Sequence, residues 1–162
     1  MKTCLALALT ALLLCGCAPE ETFETVTDVP VMMTLAQPRQ IRVSLPGEAA
    51  LPTIESDNGR LYLCEDYEIC IQTMEGGDLD ATVRAVTGYG REDLTVMERL
   101  QEDLDRYDFV WTCAGEGGDR LGRGVILDDG AYHYVMTVLR NADTTETSQI
   151  VWQDVFGSFT LD

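Results

Sequence analysis

The cysteines and the single histidine are the residues of this chain best suited to chemistry. Cys64 and Cys70 fall in two short apolar runs, 61–64 and 68–74, that flank an acidic turn. If the two cysteines lie opposite each other in a hairpin, the apolar side chains occupy one face and both sulfurs the other. Those apolar residues are Leu61, Leu63, Ile69 and Ile71. The sequence therefore predicts a Cys64–Cys70 disulfide, with two unbonded thiols as the alternative.

Cys113 is predicted to be a buried free thiol. It shares a strand face with Tyr107, Phe109 and Trp111. His133 alternates to the strand face opposite its two tyrosine neighbours, and a general base would need a nucleophile and an orienting group beside it. The sequence offers no such set, and the cysteines with His133 match no zinc-site spacing. We therefore expect no catalytic residue, no metal site and no cofactor.

The richest glycine stretch covers residues 115–124. Glycine backbone amides can cradle an anion, and two arginines within the stretch would add positive charge. However, the stretch lacks the Gly-Lys-Ser/Thr ending of a phosphate loop, and two acidic residues interrupt it. A flexible hairpin tip is the alternative. If a small ligand binds, the residues expected to contact it are Gly117, Gly118, Arg120 and Arg123.

Acidic residues dominate the charge of the chain. It has 28 Asp and Glu against 11 Lys and Arg, a formal net charge of −17. Lys2 is the only lysine, so the chain beyond residue 16 has ten arginines and a formal charge of −18. Nucleic-acid binding requires clusters of Lys and Arg, and an acidic surface repels phosphate backbones. The composition therefore argues against a nucleic-acid partner, while solubility is enough to explain the acidity.

Short apolar or alternating runs predict six or seven strands, joined mostly by hairpins and hence mostly antiparallel. The runs lie at 41–45, 61–64, 68–74, 94–98, 107–113, 124–127 and 131–139. A helix is predicted over 79–87, with Asp78 as N-cap and Gly88 at its end. A second helix follows 143–146, where Asp143 and Glu146 are spaced as a capping box.

The second predicted helix carries an apolar face that should cover the sheet. That face consists of Trp152, Val155, Phe156 and Phe159. We expect it to pack on the strands at 107–113, 124–127 and 131–139. The prediction is an α+β domain: a mostly antiparallel sheet of about six strands with one inserted helix and one C-terminal helix packed on it.

The first 17 residues combine a positive charge, an apolar run and a closing cysteine. Lys2 precedes an apolar run of about a dozen residues, whereas a bilayer-spanning helix needs about 20. Leu14-Cys15-Gly16-Cys17 follows, and the whole segment resembles a bacterial lipoprotein signal peptide with its lipobox. In that family the last cysteine receives a diacylglycerol and the chain is cut just before it. The resemblance implies a lipidated Cys17 on the outer side of a membrane, with an ordinary secretory signal as the alternative.

Three regions follow from this interpretation. Residues 1–16 are the signal peptide, 17–38 the lipidated N-terminus and a flexible tether, and 39–162 a single domain. Acids, Thr and Pro dominate the start of the tether and no helical or strand period persists, as is typical of a linker. An edge strand at 29–35 is the alternative for its end.

The predicted order of elements resembles the Mog1/PsbP-like fold over about residues 40–162. The resemblance is carried by the strand 134–139, the amphipathic 152–156, the ending Ser158-Phe159-Thr160-Leu161 and the opening Val43-Ser44-Leu45-Pro46. That family includes photosystem accessory proteins, nuclear-import factors and bacterial lipoproteins. None of its partner-binding residues maps onto this chain, so the resemblance implies a fold and not a function.

These observations predict a surface-anchored lipoprotein that acts as a non-catalytic binding or accessory module. It would be extracytoplasmic, held to a bacterial membrane through Cys17, with an envelope protein or a small ligand as partner. Two alternatives stay open. One is an envelope-associated hydrolase with a non-obvious active site, and the other is a small solute- or ion-binding component, although such proteins usually have two lobes.

Overall fold

The structure is a computed structural model that describes residues 36–101, 103–115, 118–141 and 146–162. Of residue 101 and residues 146–149 it describes only the backbone. The predicted signal peptide, Cys17 and nearly all of the 17–38 tether lie outside the described residues. Within the described part of the chain, no helix is long and apolar enough to cross a membrane.

A seven-stranded antiparallel sheet forms the centre of the domain, and two further strands pair beside it. In chain order the strands are β1 (Ile41–Arg42), β2 (Ile54–Ser56), β3 (Gly59–Leu63), β4 (Tyr67–Glu75), β5 (Val96–Gln101), β6 (Asp105–Gly115), β7 (Gly118–Asp128), β8 (Tyr132–Asn141) and β9 (Thr160–Leu161). The sheet order is β2-β3-β4-β8-β7-β6-β5, and β1 pairs with β9. The predicted α+β class is confirmed, with seven strands in the sheet instead of about six.

The strand that the sequence analysis missed is β2, at one edge of the sheet. Its hairpin with β3 turns at Asp57-Asn58, where the Ser56 hydroxyl donates a hydrogen bond to the side-chain oxygen of Asn58 (3.1 Å). Asn-Gly is a strong hairpin signal, and Asn58-Gly59 stands at this turn. The signal was therefore present in the sequence, next to a strand of only three residues.

Both predicted helices form. Helix α1 (Leu79–Thr87) has the bounds that its capping residues indicate: the Asp78 carboxylate accepts a hydrogen bond from the Asp80 backbone N–H (2.9 Å). It ends at Gly88, which adopts a left-handed φ of 79° that glycine tolerates without strain. Helix α2 (Glu146–Gly157) follows the predicted capping box, whose Asp143 lies outside the described residues.

The two helices pack on opposite faces of the sheet. The apolar face of α2 packs on residues of β3, β4, β7 and β8, among them Tyr62, Ile69, Val125, Tyr134 and Met136. On the other face, Val83 of α1 packs with Phe109, Trp111, Ile126 and Val135. Because successive strand residues point to opposite faces, β7 and β8 contribute to both clusters.

This arrangement corrects one part of the predicted packing. We expected α2 to cover the aromatic face of β6, but Phe109 and Trp111 face α1. The reason is the pairing of β6 with β7: Phe109 lies opposite Gly124 and Trp111 opposite Gly122, so both rings share the face of Ile126. Cys113 lies on that same face as a free thiol, as predicted, although it is only partly buried.

Candidate functional site

The predicted Cys64–Cys70 disulfide is wrong in this structure, because the hairpin has another register. Leu61 lies opposite Cys70, and the Cys64 N–H donates to the Tyr67 carbonyl (2.9 Å) across a two-residue turn. This register places Tyr67 and Ile69 on the buried face together with Cys64, whereas Cys70 points to the other face. Both thiols are free, and burial raises the pKa of Cys70.

The described part of the glycine-rich stretch belongs to strands: Gly115 ends β6, and residues 118–124 lie in β7. A Cβ on Gly122 would lie 2.0 Å from Cε2 of Trp111, and one on Gly124 would lie 2.2 Å from Cζ of Phe109. These glycines therefore make room for aromatic rings of the neighbouring strand. Gly118 begins β7 with a φ of +124°, and Gly117 lies outside the described residues.

The two arginines predicted to share a ligand do not share a face. Arg120 lies on the α1 side, where its guanidinium donates to the Glu68 carboxylate (2.8 Å) and to the Leu139 carbonyl (3.2 Å). It therefore ties three strands together. Arg123 lies three residues further along β7, so it points to the opposite face, where α2 packs. The two arginines of the predicted ligand site are therefore not brought together, but Arg123 lines a pocket on the α2 side.

Arg123 lines a pocket of about 380 Å³ beside helix α2. The lining residues are Arg123, Val138, Arg140, Trp152, Gln153 and Phe156. The three apolar members are only 2%, 6% and 1% exposed, in that order. The accessible surface of the pocket therefore comes mainly from the two guanidinium groups and the Gln153 amide. No carboxylate is among the described residues that line it.

The Arg123 side chain is held in place by Phe156 and Asp108. Its guanidinium carbon lies 4.2 Å from the centroid of the Phe156 ring, a cation–π distance. One of its nitrogens lies 3.6 Å from Oδ1 of Asp108. Asp108 itself accepts two hydrogen bonds from Arg106, at 2.7 and 3.3 Å. Arg106 also donates to the Phe156 carbonyl (3.0 Å), so this network joins β6 and β7 to the end of α2.

Arg140 supplies the second positive charge of the pocket. It lies on β8 opposite Leu121, which shares the face of Arg123. Burial lowers the pKa of Arg140, and the positive charge of Arg123 lowers it further. The two guanidinium groups are therefore close enough to repel each other.

A second polar cluster, centred on His133, lies beneath helix α1. The Thr82 hydroxyl and Nδ1 of His133 are 2.7 Å apart, and Nε2 lies 3.5 Å from Oδ2 of Asp128. His133 is completely buried, and Nε2 has no hydrogen-bond partner among the described residues. If the Thr82 hydroxyl donates to Nδ1, the ring proton of neutral His133 is on Nε2 and faces the Asp128 carboxylate. This tautomer fits the site better than one that turns a lone pair toward Asp128.

The His133 cluster has the residue types of a nucleophile, a base and an orienting acid, but not their accessibility. Thr82 is 5% exposed, so its hydroxyl offers a substrate carbonyl no approach. The sequence analysis expected no nucleophile or orienting group beside His133 and missed this cluster. The only feature of the sequence that pointed to this cluster was the position of His133, three residues after the Asp128-Asp129-Gly130 turn. Among the described residues, no group of His, Cys, Asp or Glu has a metal-binding arrangement.

Comparisons with known proteins do not assign the chain to a family. No protein-family profile matches it, and no curated protein matches it. Among solved structures it is similar to PA94, a protein of unknown function from Pseudomonas aeruginosa. The two are 13% identical, the alignment covers 77% of this chain and 85% of that chain, and the TM-score is 0.47.

A larger cleft of about 930 Å³ runs between the segment at 38–41, the β2–β3 turn and β4. Its charged residues are of both signs, and its arginines already have partners. Arg39 donates to the Asp162 carbonyl (2.7 Å), and Arg60 pairs with Glu55 (3.0 Å). A third cavity, of about 540 Å³, is also lined by two arginines and no carboxylate, but Arg42 pairs with Asp162 and Arg60 pairs with Glu55. We take the Arg123–Arg140 pocket as the candidate functional site, because two guanidinium groups converge there and no carboxylate is among the described residues that line it.

Proposed function

We propose that this protein is a lipid-anchored, extracytoplasmic binding module that holds a compact anionic ligand in the Arg123–Arg140 pocket. The observation that carries the proposal is the convergence of two guanidinium groups on a pocket whose described lining contains no carboxylate. Guanidinium groups present planar N–H forks that match carboxylate and phosphate oxygens.

An anion in the pocket would offset the repulsion between the two guanidinium groups. The positive charge of Arg123 disfavours the charged form of Arg140, and burial disfavours it further. A negative charge between the two groups turns this repulsion into two attractions. Each hydrogen bond to a charged group contributes about 1.5–3 kcal/mol. The ligand is therefore compact, because the favourable contacts are confined to one pocket.

The burial of the His133 cluster supports binding over hydrolysis. A hydrolase needs a nucleophile that the substrate reaches, and the Thr82 hydroxyl lies between α1 and the sheet. The arginine pocket, in contrast, is open to solvent, and none of the described residues that line it is a nucleophile. We therefore assign the protein a role in ligand binding.

Ligand binding can be tested by NMR titration of the 39–162 domain with sodium phosphate, sulfate, citrate and acetate at constant ionic strength. At least one anion should shift the indole resonance of Trp152, and Arg123→Gln should weaken that binding at least tenfold. Arg84→Gln is the matched control, because Arg84 lies on α1 at the opposite face and is exposed. If no anion binds, or if Arg123→Gln binds as tightly as the parent, the proposal fails.

The extracytoplasmic, membrane-anchored localisation is a separate proposal, which rests on the resemblance of Leu14-Cys15-Gly16-Cys17 to a lipobox. Two acyl chains hold a protein firmly at a membrane, since each buried methylene contributes about 0.8 kcal/mol. The full-length protein expressed in a bacterial host should partition into detergent, and Cys17→Ala should release it. Mass spectrometry that finds an unmodified residue 17 in the mature protein would end this proposal.

The finer fold assignment is also a proposal: we place the domain in the Mog1/PsbP-like fold. It is supported by the antiparallel sheet, the inserted helix α1 and the C-terminal helix α2 followed by a short strand. A crystal structure of residues 39–162 tests it by superposition on members of that fold. A different strand order in the crystal would reject the assignment without affecting the proposed anion site.

A further inference from the structure

We infer that the cleft of about 930 Å³ between the segment at 38–41, the β2–β3 turn and β4 binds a neutral, hydroxyl-rich ligand, namely a short oligosaccharide. No described residue lines both this cleft and the Arg123–Arg140 pocket. The inference therefore concerns a second site and does not depend on the proposed anion binding. It follows from a notch in the sheet, from the neutral polar groups and the aromatic ring that line the notch, and from the balance of its charges.

The cleft occupies a notch in the sheet, because β4 extends beyond its neighbour β3. The Thr73 N–H donates to the Asn58 carbonyl (2.8 Å), in the turn that precedes β3. Two residues later, Glu75 pairs only with β8, opposite Tyr132. Residues of an antiparallel strand direct their N–H and C=O groups to alternate sides, so those of Glu75, like those of Thr73, point away from β8. The notch therefore offers a backbone donor and a backbone acceptor that no described strand pairs with.

Neutral polar side chains surround this backbone edge. The cleft is lined by the amides of Gln40 and Asn58 and by the hydroxyl-bearing Thr73. The Asn58 oxygen accepts a hydrogen bond from the Ser56 hydroxyl (3.1 Å). Within the described part of the chain, the side chains of Gln40 and Thr73 make no hydrogen bond. Amides and hydroxyls both donate and accept, as sugar hydroxyls do, so these groups match a ligand that carries many hydroxyls.

The ring of Tyr132 forms an aromatic wall of the cleft, and its orientation is set by the protein. The Tyr132 hydroxyl donates to the Ala36 carbonyl (2.7 Å), and the ring lies beside that of Tyr134, with centroids 6.2 Å apart. The side chain is only partly buried, so part of the ring is accessible from the cleft. The face of an aromatic ring is electron-rich and attracts the weakly positive C–H groups of a sugar ring. This contact requires no charge on the ligand.

The charges around the cleft favour a neutral ligand. The charged lining residues are Arg39, Asp57, Arg60 and Glu75. Two positive and two negative formal charges cancel, although the chain as a whole carries −17. A charged ligand would lose its hydration without meeting an excess of the opposite charge, which is costly. A neutral molecule with many hydroxyls avoids this cost.

The size and shape of the cleft favour a short oligosaccharide over a single sugar or a peptide. Its volume lies near the upper end of the range of about 300–1,000 Å³ that is typical of small-molecule sites, so one sugar unit would leave much of it unfilled. An extended peptide that adds to a sheet edge needs a run of unpaired backbone groups. The notch exposes those of Glu75 only, which is too short for an added strand.

The test is NMR titration of residues 18–162, which keep the Ala36 and Pro38 that border the cleft. The neutral probes are maltotriose, cellotriose, mannotriose and chitotriose. The comparison probes are the glucosamine trimer, the galacturonate trimer and the capped peptide acetyl-Val-Thr-Val-amide. At least one neutral trisaccharide should bind at millimolar concentration and shift the backbone amide resonance of Glu75, and all three comparison probes should bind more weakly. If no neutral trisaccharide binds, or if a charged trimer or the peptide binds more tightly, the inference is overturned.

Variants locate the binding in the cleft. Gln40→Ala and Thr73→Val should each weaken the bound trisaccharide by about threefold, and Tyr132→Leu by about tenfold. Gln153→Ala is the matched control, because it removes the same amide from the arginine pocket and should bind as the parent does. Melting followed by circular dichroism verifies that each variant is folded. Unchanged binding in Gln40→Ala and Thr73→Val, or an equal loss in Gln153→Ala, would place the saccharide elsewhere and overturn the inference, while the anion-binding proposal would be unaffected.

Discussion

Replacement of Gly122 by alanine should destabilise the domain, although the substitution adds only one methyl group. The new Cβ would lie 2.0 Å from Cε2 and 2.3 Å from Cζ2 of Trp111, whereas ordinary contacts begin near 3.4 Å. The indole would have to move by about 1.5 Å to restore normal contact. It is 4% exposed and stacked on Phe109, with ring centroids 5.7 Å apart, so it has no free space to enter.

The magnitude follows from two opposing effects. Overpacking of a closed core costs about 1–3 kcal/mol. Alanine is favoured over glycine within a strand by about 0.5–1 kcal/mol, because glycine loses more backbone entropy on folding. The severe overlap with Trp111 places the overpacking cost in the upper half of that range, at about 2–3 kcal/mol, so the net loss in the free energy of unfolding should be about 1–2.5 kcal/mol. Gly47→Ala is the matched control, since nothing lies within 4 Å of its new Cβ. It should change stability by less than about 0.5 kcal/mol.

Urea unfolding of the 39–162 domain, followed by circular dichroism, measures these changes. A Trp111→Leu background supplies the decisive comparison, because the smaller side chain leaves room for the alanine. The cost of Gly122→Ala should fall below about 0.5 kcal/mol there, which is a coupling between the two sites. If Gly122→Ala destabilises the domain equally in that background, or does not destabilise the parent, then Gly122 does not provide the space for the Trp111 ring.

Three further predictions concern buried groups. Thr82→Val leaves Nδ1 of His133 unpaired and should lower the free energy of unfolding in urea by about 1–3 kcal/mol. Thr82→Ser keeps the hydroxyl and should stay close to the parent. Equal losses in the two variants would argue against the hydrogen bond. Phe156→Ala removes a ring that is 1% exposed and should cost about 3–5 kcal/mol in thermal melts; a loss below 1 kcal/mol would make α2 peripheral. Burial raises the pKa of Asp129, but hydrogen bonds from the Tyr134 hydroxyl and two backbone N–H groups outweigh it, so the pKa is lowered from 3.8. The ionised Asp129 therefore stabilises the fold fully above pH 3.8, and this stabilisation is lost as the pH falls through the lowered pKa. Between about pH 5 and pH 2.5, the Asp129→Asn variant should therefore lose less stability than the parent. Equal losses would contradict this account.

The elements that the sequence predicted best are those with local signals. Helix α1 has the predicted bounds because its beginning and end are set by Asp78 and Gly88, which act within one turn. The β7–β8 hairpin was found for the same reason, through Asp129-Gly130. The β3–β4 hairpin was found but misregistered. Its register depends on the burial of Tyr67 beside α2, which is distant in sequence.

The candidate site depended on information that local patterns do not contain. The sequence analysis named Arg123 as a ligand-contacting residue, but it grouped Arg123 with Arg120. Alternation along β7 places Arg120 on the other face of the sheet. Its actual neighbour in the pocket, Arg140, lies on the next strand and was not considered. The burial of His133 likewise requires α1 to cross the sheet from β4 to the far edge at β5. Hydrophobic periodicity gives the face of a residue within its element, but not the element that covers that face.

The acidity of the chain and the positive pocket together explain why the proposed ligand is small. A long polyanion such as a nucleic acid would place most of its phosphates against a chain with a formal charge of −17. Repulsion between exposed charges extends over a Debye length of about 8 Å at physiological salt. A single compact anion in the Arg123–Arg140 pocket would lie much closer to these two cations than to most of the acidic surface. The net charge thus disfavours extended polyanions, while the proposed pocket still accommodates one compact anion.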